Sequence, residues 1–426
     1  MSAPLLAGAA VVDITPPAGL AMSGFVARTE PATGTHDPLT ARALVVNDTA
    51  ILAMDVLGLD RATTRAIAKR CALPDDNVVV AALHTHGGPQ VRFGGYHAGI
   101  DQAYMAALET AAVEALDRAW DARRPAEFSF GVGRDARIAR NRRRADGPTD
   151  PSLPVLDIVG TDGSPIATLL AYACHPVVLG ADNRLWTADY PGFTRAAIEG
   201  ARQGTVALFL TGCTADANNG HSAHASISLD ADAERTFAAA ERIGRHIASE
   251  ALAAPLVPAG GGAAICSKMV ELAFERRETE SMQALAERWR AGMAAADPVT
   301  ATLLAKWISW AERGLPADLA SLRIACRVTA LRWGNVEIIA LPGEIFAETA
   351  HDIRRRIGNP AAIVIGFADD NPGYIPPAAE YPFGGYEVDE AHRYYGQPAS
   401  FAPGSAEALA DAAVGCVLAL RSNNQD

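Results

Sequence analysis

The sequence predicts an α/β protein with mixed β-sheets, in which strand hairpins are flanked by helices. Short apolar, β-branched segments alternate along the chain with longer segments of helical periodicity, which is typical of this class. Two segments, 42–58 and 327–343, each contain a pair of strand patterns joined by a two-residue turn, at Asn47-Asp48 and at Gly334-Asn335. Because a hairpin pairs its strands antiparallel, the sheets should be mixed and not purely parallel.

The other elements follow from the same patterns. A segment at 278–314 places apolar residues on one helical face twice, before and after the helix-start signal Asp297-Pro298. We expect a helical hairpin there, which either packs into the core or covers a site. The segment 255–264 is rich in Gly and Pro and is expected to be a flexible joint. Strands are predicted at 77–83, 154–160, 166–173, 205–211 and 361–367, and helices near 101–121, 190–202, 229–254 and 405–421.

Composition limits the kind of partner. The chain has 426 residues, of which 49% are hydrophobic and 20% are charged, so it can bury a large core and is not expected to be disordered. Its formal net charge of -12 argues against nucleic acid or an anionic membrane surface, because those bind through clustered Lys and Arg. We therefore expect a small-molecule substrate, and homo-oligomerisation is left open.

Cysteine usage and the N-terminus predict the compartment. The six cysteines are scattered without a CxxC pair, which is typical of reduced thiols in a protein core. The N-terminal segment lacks a basic region, and no uninterrupted apolar stretch approaches about 18 residues. We expect a cytoplasmic protein without stable membrane association.

Two histidines, His84 and His86, end the apolar segment VVVAALHTH. In a strand, side chains two residues apart point to the same face, so these imidazoles should emerge side by side. Both rings of such a pair can bind a metal, or one can bind the metal while the other transfers a proton. The two rings can also be ordinary polar side chains whose hydrogen bonds are made within the protein.

Two more strand patterns end in residues that can bind metals. His175 follows the apolar run in LLAYACHP, and Glu344 follows the run in EIIALPGE. Functional groups at strand ends, above a rigid sheet, are the usual layout of an α/β active site. Two histidines and a carboxylate with an open position match a catalytic zinc, which lowers the pKa of a bound water to about 7.

Seven motifs occur in a fixed order between about residues 7 and 396. They are VVDITPPAGLAMSGF, HTHGGP, ACHPVVLG, ADYPG, LFLTGCTADANN, LPGE and GYIPPAAEYPFGGYE. In this order they resemble the N-terminal catalytic domain of neutral/alkaline, non-lysosomal ceramidases. The resemblance implies that residues 1–426 form a single catalytic domain of that fold, with the helical hairpin at about 278–314 as an insertion.

The resemblance also implies a set of zinc ligands. Matched by motif, they are His84 from HTH, His175 from ACHP, Glu344 from LPGE and Tyr374 from GYIP. Tyrosine is an uncommon zinc ligand, and judged by its own surroundings Tyr374 could equally be an aromatic packed in a loop. Tyr386 lies twelve residues after Tyr374. The family has this offset between its zinc-binding tyrosine and a tyrosine that points at the reacting carbonyl.

Further roles follow from the same resemblance. His86 is expected to orient the attacking water or to move its proton. The basic run RDARIARNRRR, at 134–144, is expected to supply a cationic partner for the oxyanion, with Arg142 as the first choice and Arg140 as the alternative. By charge pattern alone, this run could also be a solvated surface stretch. Asp189 is expected to hold a loop or to orient a ligand.

Several positions depart from the family pattern. Asn218 stands where the family has a hydroxyl residue that suggested a serine nucleophile, so no covalent serine route is available. Asn218, Arg140 and His221 are the predicted substrate contacts, although His221 and His224 could also be solvated loop residues. Gly87 replaces a Ser, and neither a C-terminal immunoglobulin-like domain nor a secretion signal is seen. These departures favour a small soluble substrate over a membrane lipid.

The sequence therefore predicts a zinc-dependent hydrolase that cleaves an N-acyl amide bond through a metal-activated water. A lactone or ester hydrolase using the same site is an alternative, because amide and ester cleavage both pass through an oxyanion. A non-catalytic, zinc-containing binding protein is the alternative of a different class.

Overall fold

The described part of the protein is built on two large β-sheets, three two-stranded sheets and a set of α-helices. The computed structural model describes residues 5–92, 99–222, 229 and 232–422. Among these residues, no helix has the length and apolar character needed to cross a membrane. The helices are α1 (Arg61–Ala68), α2 (Gln102–Asp121), α3 (Tyr190–Ala201), α4 (Phe237–Leu252), α5 (Met282–Met293), α6 (Pro298–Glu312), α7 (Ala347–Ile357) and α8 (Ser405–Ser422).

The strands vary widely in length. They are β1 (Leu5–Asp13), β2 (Gly34–Thr35), β3 (Thr40–Val46), β4 (Thr49–Met54), β5 (Val78–Ala82), β6 (Arg124–Gly133), β7 (Arg140–Asn141), β8 (Leu153–Gly160), β9 (Pro165–Tyr172), β10 (Leu185–Trp186), β11 (Val206–Thr211), β12 (Ala217–Asn218), β13 (Val257–Pro258), β14 (Ala263–Glu275), β15 (Arg323–Trp333), β16 (Val336–Ala340), β17 (Glu344–Ile345), β18 (Ile363–Ile365), β19 (Tyr374–Ile375) and β20 (Ser400–Phe401). Short 3₁₀ turns lie at Asp75–Asn77, Ala378–Phe383 and Ala391–Arg393, and a π-helical turn lies at Tyr386–Glu390.

Both large sheets are mixed. The larger has the strand order β11-β9-β8-β6-β1-β3-β4-β5, and β13 also pairs with β6. The smaller has the order β18-β16-β15-β14-β20. Parallel pairs, β4 with β5, β9 with β11 and β16 with β18, occur beside antiparallel ones, among them the two predicted hairpins β3–β4 and β15–β16. The predicted fold class is confirmed.

The elements form four layers, with the sheets packed face to face between two layers of helices. Along β3, Leu44 packs in the core between the two sheets, whereas Val45 packs in the core that α2 and α4 share with the larger sheet. A third core joins the smaller sheet to α7 and α8. Strands covered on both faces are apolar along most of their length, which is why short apolar runs predicted them well.

Side chains just before several helices fix where those helices begin. Each accepts a hydrogen bond from a backbone N–H in the first turn, which contributes about 1 kcal/mol to helix stability. These residues are Asp60 before α1, Asp101 before α2, Thr236 before α4, Ser281 before α5 and Asp297 before α6.

The helical hairpin is confirmed. Helices α5 and α6 pack against each other through Leu285, Trp289, Ile308 and Trp310. Most other predicted strands and helices are also found, within a few residues of their expected bounds.

Two elements are shorter than predicted, one expected joint is not free, and some elements were not predicted. The helix expected at 229–254 begins only at Phe237, where Thr236 caps it. The strand expected at 361–367 covers only Ile363–Ile365, since Phe367 turns the backbone out of the extended region with a φ of 56°. The segment 255–264 is not a free joint, because β13 and the start of β14 pair into the sheets. Of the longer elements, α1, α7, β6 and β14 were not predicted, and the two-residue strands such as β2 and β7 were not predicted either.

Candidate metal centre

Three of the predicted ligands meet where strands of both sheets end. His84 follows β5 and His175 follows β9 in the larger sheet, whereas Glu344 follows β16 of the smaller sheet. One carboxylate oxygen, Glu344 Oε2, lies 3.1 Å from His175 Nε2 and 3.6 Å from His84 Nε2. All three side chains are buried. The face-to-face packing of the sheets thus brings together residues that are far apart in sequence.

Backbone carbonyls fix the orientation of both imidazoles. His84 Nδ1 lies 2.5 Å from the carbonyl oxygen of Leu57, and His175 Nδ1 lies 2.7 Å from that of Thr214. A carbonyl oxygen only accepts hydrogen bonds, so in both rings Nδ1 carries the proton and Nε2 presents its lone pair. Both lone pairs therefore point toward the Glu344 carboxylate, as they do when histidines bind a metal.

The pKa shifts favour the protonation states that a metal requires. Burial lowers the pKa of His84 to about 4, so its ring is neutral at pH 7. Burial alone would raise the pKa of Glu344, but the adjacent His84 and His175 lower it to about 2, so the carboxylate is ionised. A neutral imidazole and an ionised carboxylate are the forms in which His84 and Glu344 can bind a metal.

The turn that carries His84 is tightly packed. His84 itself has a φ of 67°, in the left-handed region, which costs on the order of 1 kcal/mol in a residue other than Gly. Its ring stacks on Phe367 with centroids 4.1 Å apart. Phe367 also has a left-handed backbone, just after the end of β18, so the two left-handed turns pack directly against each other.

The His86 ring is oriented toward the same place but makes no hydrogen bond to any residue that the structure describes. Its Nδ1 and Nε2 are both buried and have no partner within the described part of the chain, although buried polar atoms almost always have one. Ligand atoms of His84, His86 and His175 lie within 4.8 Å of one another. The Phe25 ring covers His86, with centroids 4.8 Å apart, and a Cβ at Gly24 would lie 2.5 Å from His86 Nδ1. The unpartnered nitrogens fit a metal ion, a water or a substrate at this position.

Tyr374 is held beside Glu344 by strand pairing. In the parallel pair of β17 and β19, Glu344 lies opposite Tyr374. The Tyr374 hydroxyl accepts a hydrogen bond of 2.9 Å from Arg142, whose Nε also donates to Glu387 at 2.8 Å. The Tyr386 ring lies at a steep angle to that of Tyr374, with centroids 5.6 Å apart. Tyr374, Tyr386 and Arg142 therefore form one wall next to the carboxylate.

Arg142 is thus bonded within the protein and is not free to turn. Burial would lower the pKa of its guanidinium, but Tyr374 and Glu387 raise it well above the usual value. Arg143 pairs with Glu380 at 2.9 Å and with Glu387 at 2.5 Å, so the charges in this wall balance. The basic run contributes to the site through Arg142 and Arg143 and is not a solvated stretch at these two positions.

The three residues predicted to contact substrate hydrogen bond mainly within their own segments of the chain. Both ends of the Asn218 amide bond to its own turn: Nδ2 donates to the His221 carbonyl at 2.7 Å, and Oδ1 accepts from the backbone of Gly220 and His221. Arg140 is exposed and donates to the carbonyls of Arg137 and Ala139. His221 is half-buried beside Asn219.

Two other residues named from the sequence can be placed. Asp189 accepts hydrogen bonds from the backbone of Leu179 and Tyr190, at 3.0 and 2.6 Å, and so ties the loop after His175 to the start of α3. His224 lies outside the described residues.

One side chain at the centre was missed by the sequence reasoning. Tyr395 donates a hydrogen bond to Glu344 Oε1, the carboxylate oxygen that the histidines do not face. Its ring lies 6.0 Å from that of Tyr374. The sequence signal for Tyr395 was weak: it is one of two adjacent tyrosines in RYYG, shortly after the GYIPPAAEYPFGGYE motif. The carbonyls of Leu57 and Thr214 could not be found from side-chain types at all.

Two cavities lie away from these residues. Their volumes are about 480 Å³ and 730 Å³, and both are lined in part by His351 and Arg355. Neither is lined by a predicted metal ligand. We therefore assign the site from the chemistry of its side chains and not from cavity size.

Comparison with known proteins identifies the family. The family model for the neutral/alkaline non-lysosomal ceramidase N-terminal region matches residues 5–226, just over half of the chain. The chain belongs to this ceramidase family. The matched range includes His84, His86 and His175, so the three histidines of the site lie in the part of the chain that defines the family.

Solved ceramidase structures share the fold over nearly the whole chain. The crystal structure of neutral ceramidase from Pseudomonas aeruginosa superposes with a TM-score of 0.77 at 18% identity, covering 99% of this chain and 75% of that one. A structure described as ceramidase complexed with C2 gives a TM-score of 0.75 at 19% identity, covering 99% of this chain and 76% of that one. The ceramidase fold therefore extends through Glu344 and the tyrosines, beyond the range of the family model.

Proposed function

We propose that this ceramidase-family protein is a zinc-dependent hydrolase that cleaves the N-acyl amide bond of a small soluble substrate. The observation that carries the proposal is that His175 Nε2 and His84 Nε2 lie 3.1 and 3.6 Å from Glu344 Oε2, while carbonyl oxygens hold both Nδ1 atoms. Family membership supports hydrolysis of an amide, and the net charge of -12 disfavours an anionic membrane surface.

The metal would be held by His84, His175 and Glu344, with Tyr374 as the fourth ligand. His86, which lies in the same cluster, is the alternative fourth ligand. When bound, zinc would supply a Lewis acid that polarises the substrate carbonyl and lowers the pKa of a water. Asp189 would keep the loop after His175 in place.

The other residues of the site would act on the proton and on the oxyanion. His86, with two unpartnered ring nitrogens, would accept the proton of the attacking water and deliver it to the leaving amine. The Tyr386 hydroxyl would donate a hydrogen bond to the developing oxyanion, a contact that typically contributes about 3 kcal/mol to transition-state stabilisation. Arg142 would add positive charge on the same side, through its hydrogen bond to Tyr374.

The first experiment measures metal and substrate together. The purified protein should contain one equivalent of zinc, and chelation should abolish hydrolysis of a panel of N-acyl amines. His84→Ala should lose both zinc and activity. His351→Ala, a partly exposed histidine outside the cluster, serves as the matched control and should keep both.

The same panel decides between the alternatives. It should include lactones, simple esters and long-chain N-acyl amides in vesicles beside the soluble amides. Turnover of lactones with no amide cleaved would replace the proposed bond. Turnover only of vesicle-embedded amides would replace the proposed substrate class. Full activity in the metal-free protein would refute the mechanism, and zinc binding without any hydrolysis would favour a binding protein.

A further inference from the structure

The α5–α6 hairpin contacts both sides of the candidate metal centre. At the start of α6, Val299 packs against a small cluster that contains Phe25, the ring that covers His86. Further along the same helix, the Trp307 ring lies 6.5 Å from that of Tyr394, which in turn lies 5.9 Å from Tyr386. The hairpin therefore reaches from the neighbourhood of His86, which we call the histidine side of the site, to that of Tyr386, which we call the tyrosine side.

The α5–α6 hairpin packs around one cation, Arg393. The guanidinium carbon of Arg393 lies 5.3, 4.9 and 5.4 Å from the ring centroids of Trp289, Trp307 and Trp310. Two of these rings come from α6 and one from α5, so the hairpin forms a cage of three indoles around the cation. A cation at such distances is attracted to the negative face of each ring, and the attraction grows as water is removed.

An ion pair completes the cage. Arg393 Nη2 donates to Glu278 Oε1 at 2.9 Å, and only 9% of each side chain is exposed. The same nitrogen donates to the Asp389 carbonyl at 3.2 Å, inside the π-helical turn that begins at Tyr386. Arg393 thus joins the segment before α5 to the turn that carries Tyr386.

Two further hydrogen bonds tie the same segment down. Trp310 Nε1 donates to the Gln397 carbonyl at 2.8 Å, and Gln397 Nε2 donates to the Pro372 carbonyl at 3.0 Å. Residues 386–397, which we name the tyrosine segment, therefore lie between the hairpin on one side and the chain leading to Tyr374 on the other. The segment contains both Tyr386 and Tyr395.

We propose that Arg393 is a positioning residue: held by the tryptophan cage, it fixes the tyrosine segment so that Tyr386 faces the reaction centre and Tyr395 orients Glu344. This role rests on the proposed function, since it assigns the cage to the same site. Arg393 lies in sequence between the two tyrosines and is bonded to the turn of one of them. Loss of its contacts should therefore loosen both tyrosines together without removing any group that touches metal or substrate.

The test compares three variants of the full-length protein. Arg393→Met removes the charge and the hydrogen bonds but keeps much of the volume, whereas Arg393→Lys keeps the cation. Arg290→Met is the matched control, because Arg290 also forms an ion pair on the hairpin, with Glu312, but both side chains are about half exposed. The measurements are the zinc dissociation constant, kcat and KM of zinc-loaded enzyme, and hydrogen exchange of the tyrosine segment.

We expect Arg393→Met to weaken zinc binding about 10-fold, which is within the range for residues that orient metal ligands. It should also lower kcat more than it raises KM, and it should speed hydrogen exchange in residues 386–397. Arg393→Lys should recover part of each loss, and Arg290→Met should match the wild type.

A zinc-loaded Arg393→Met enzyme with wild-type kcat, zinc affinity and exchange would overturn the proposal, as would a loss of thermal stability alone. If the wild type binds zinc but cleaves nothing, the proposed function fails, whereas zinc affinity and exchange still decide the role of Arg393. If the wild type binds no zinc, both proposals fail.

Discussion

The two sides of the candidate site are held in place by different means. On the histidine side, His84 and His175 leave the ends of sheet strands, and backbone carbonyls fix their rings. On the tyrosine side, Tyr386 and Tyr395 lie in a segment without long strands or helices. That segment depends on side chains: Arg142 and Arg143 pair with its Glu387, and its Arg393 pairs with Glu278. The tryptophan cage packs against it through the same Arg393.

The difference separates two kinds of mutational effect. Backbone carbonyls remain when a neighbouring side chain is replaced, so the histidine side should be far more sensitive to loss of the ligands than to replacement of the side chains around them. Ion pairs and cation–π contacts disappear with a single substitution, and a buried partner is left without its counter-charge. The tyrosine side should therefore be sensitive at residues that touch neither metal nor substrate.

The largest effect should come from Glu344, the one predicted ligand that both sides contact. Glu344→Gln removes the negative charge that faces both histidines, so zinc binding should weaken by more than about 100-fold. Hydrolysis should fall by at least about 10³-fold. Zinc content and kcat/KM at fixed metal concentration check this. Wild-type zinc content in the variant would show that the carboxylate is not a ligand.

Tyr386→Phe should affect chemistry and leave the metal in place. Removing one oxyanion donor typically costs about 10²-fold in kcat, so we expect that loss with an unchanged zinc dissociation constant. The fold should be retained, because only the hydroxyl is deleted. A Tyr386→Phe enzyme whose zinc affinity falls along with kcat would place this tyrosine with the metal ligands and weaken the distinction between the two sides.

The same distinction explains what the sequence could predict of the site. His84, His175 and Glu344 follow apolar strand runs, and such runs are readable because strands buried on both faces have a simple pattern. Their convergence depends on how two sheets pack, which no local pattern encodes. Asn218 was expected to face substrate because of its position in a motif, but its amide is used within its own turn.

Most of the fold was predictable for the same reason, and the gaps have physical causes. The hairpins at Asn47-Asp48 and Gly334-Asn335 carry strong turn signals, and the structure has both. Strand β14 was missed because Ser267, Lys268 and Glu271 interrupt its apolar residues, so that no long apolar run marks it. Tyr395 was missed because a tyrosine in an irregular segment has no periodicity to mark it.

Two residues that contact the predicted ligands, Tyr395 and Thr214, allow the two sides to be compared through smaller effects. Tyr395 bonds to Glu344 Oε1 through its hydroxyl, whereas Thr214 contacts His175 Nδ1 with both its hydroxyl, at 2.6 Å, and its carbonyl. Tyr395→Phe should weaken zinc binding about 10-fold. Thr214→Val keeps the carbonyl, so we expect less than about a 3-fold change by the same reasoning. Equal effects in a zinc titration would contradict the claim that carbonyls make the histidine side robust.

The smallest effect concerns pH and the ion pair behind the tyrosine segment. Burial alone would raise the pKa of Glu278, but the neighbouring His392 and Arg393 lower it to about 2. Burial also lowers the pKa of His392 against the opposing effect of Glu278, so at neutral pH the cation that faces the carboxylate is Arg393.

Because the folded-state pKa of Glu278 lies below its value in the unfolded chain, about 4.3, its stabilisation is fully present above that pH and is lost as pH falls toward 2. Glu278→Gln, which cannot ionise, should be less stable than the wild type at pH 6 by about 1 kcal/mol, because the amide oxygen of Gln can still accept the hydrogen bond from Arg393 and only the charge is lost. Denaturant unfolding at pH 6 and pH 3 measures the difference, which should shrink at pH 3. A gap that stays constant with pH would mean that Glu278 acts by packing and not by charge, and the tyrosine side would then resemble the histidine side more closely than the contacts suggest.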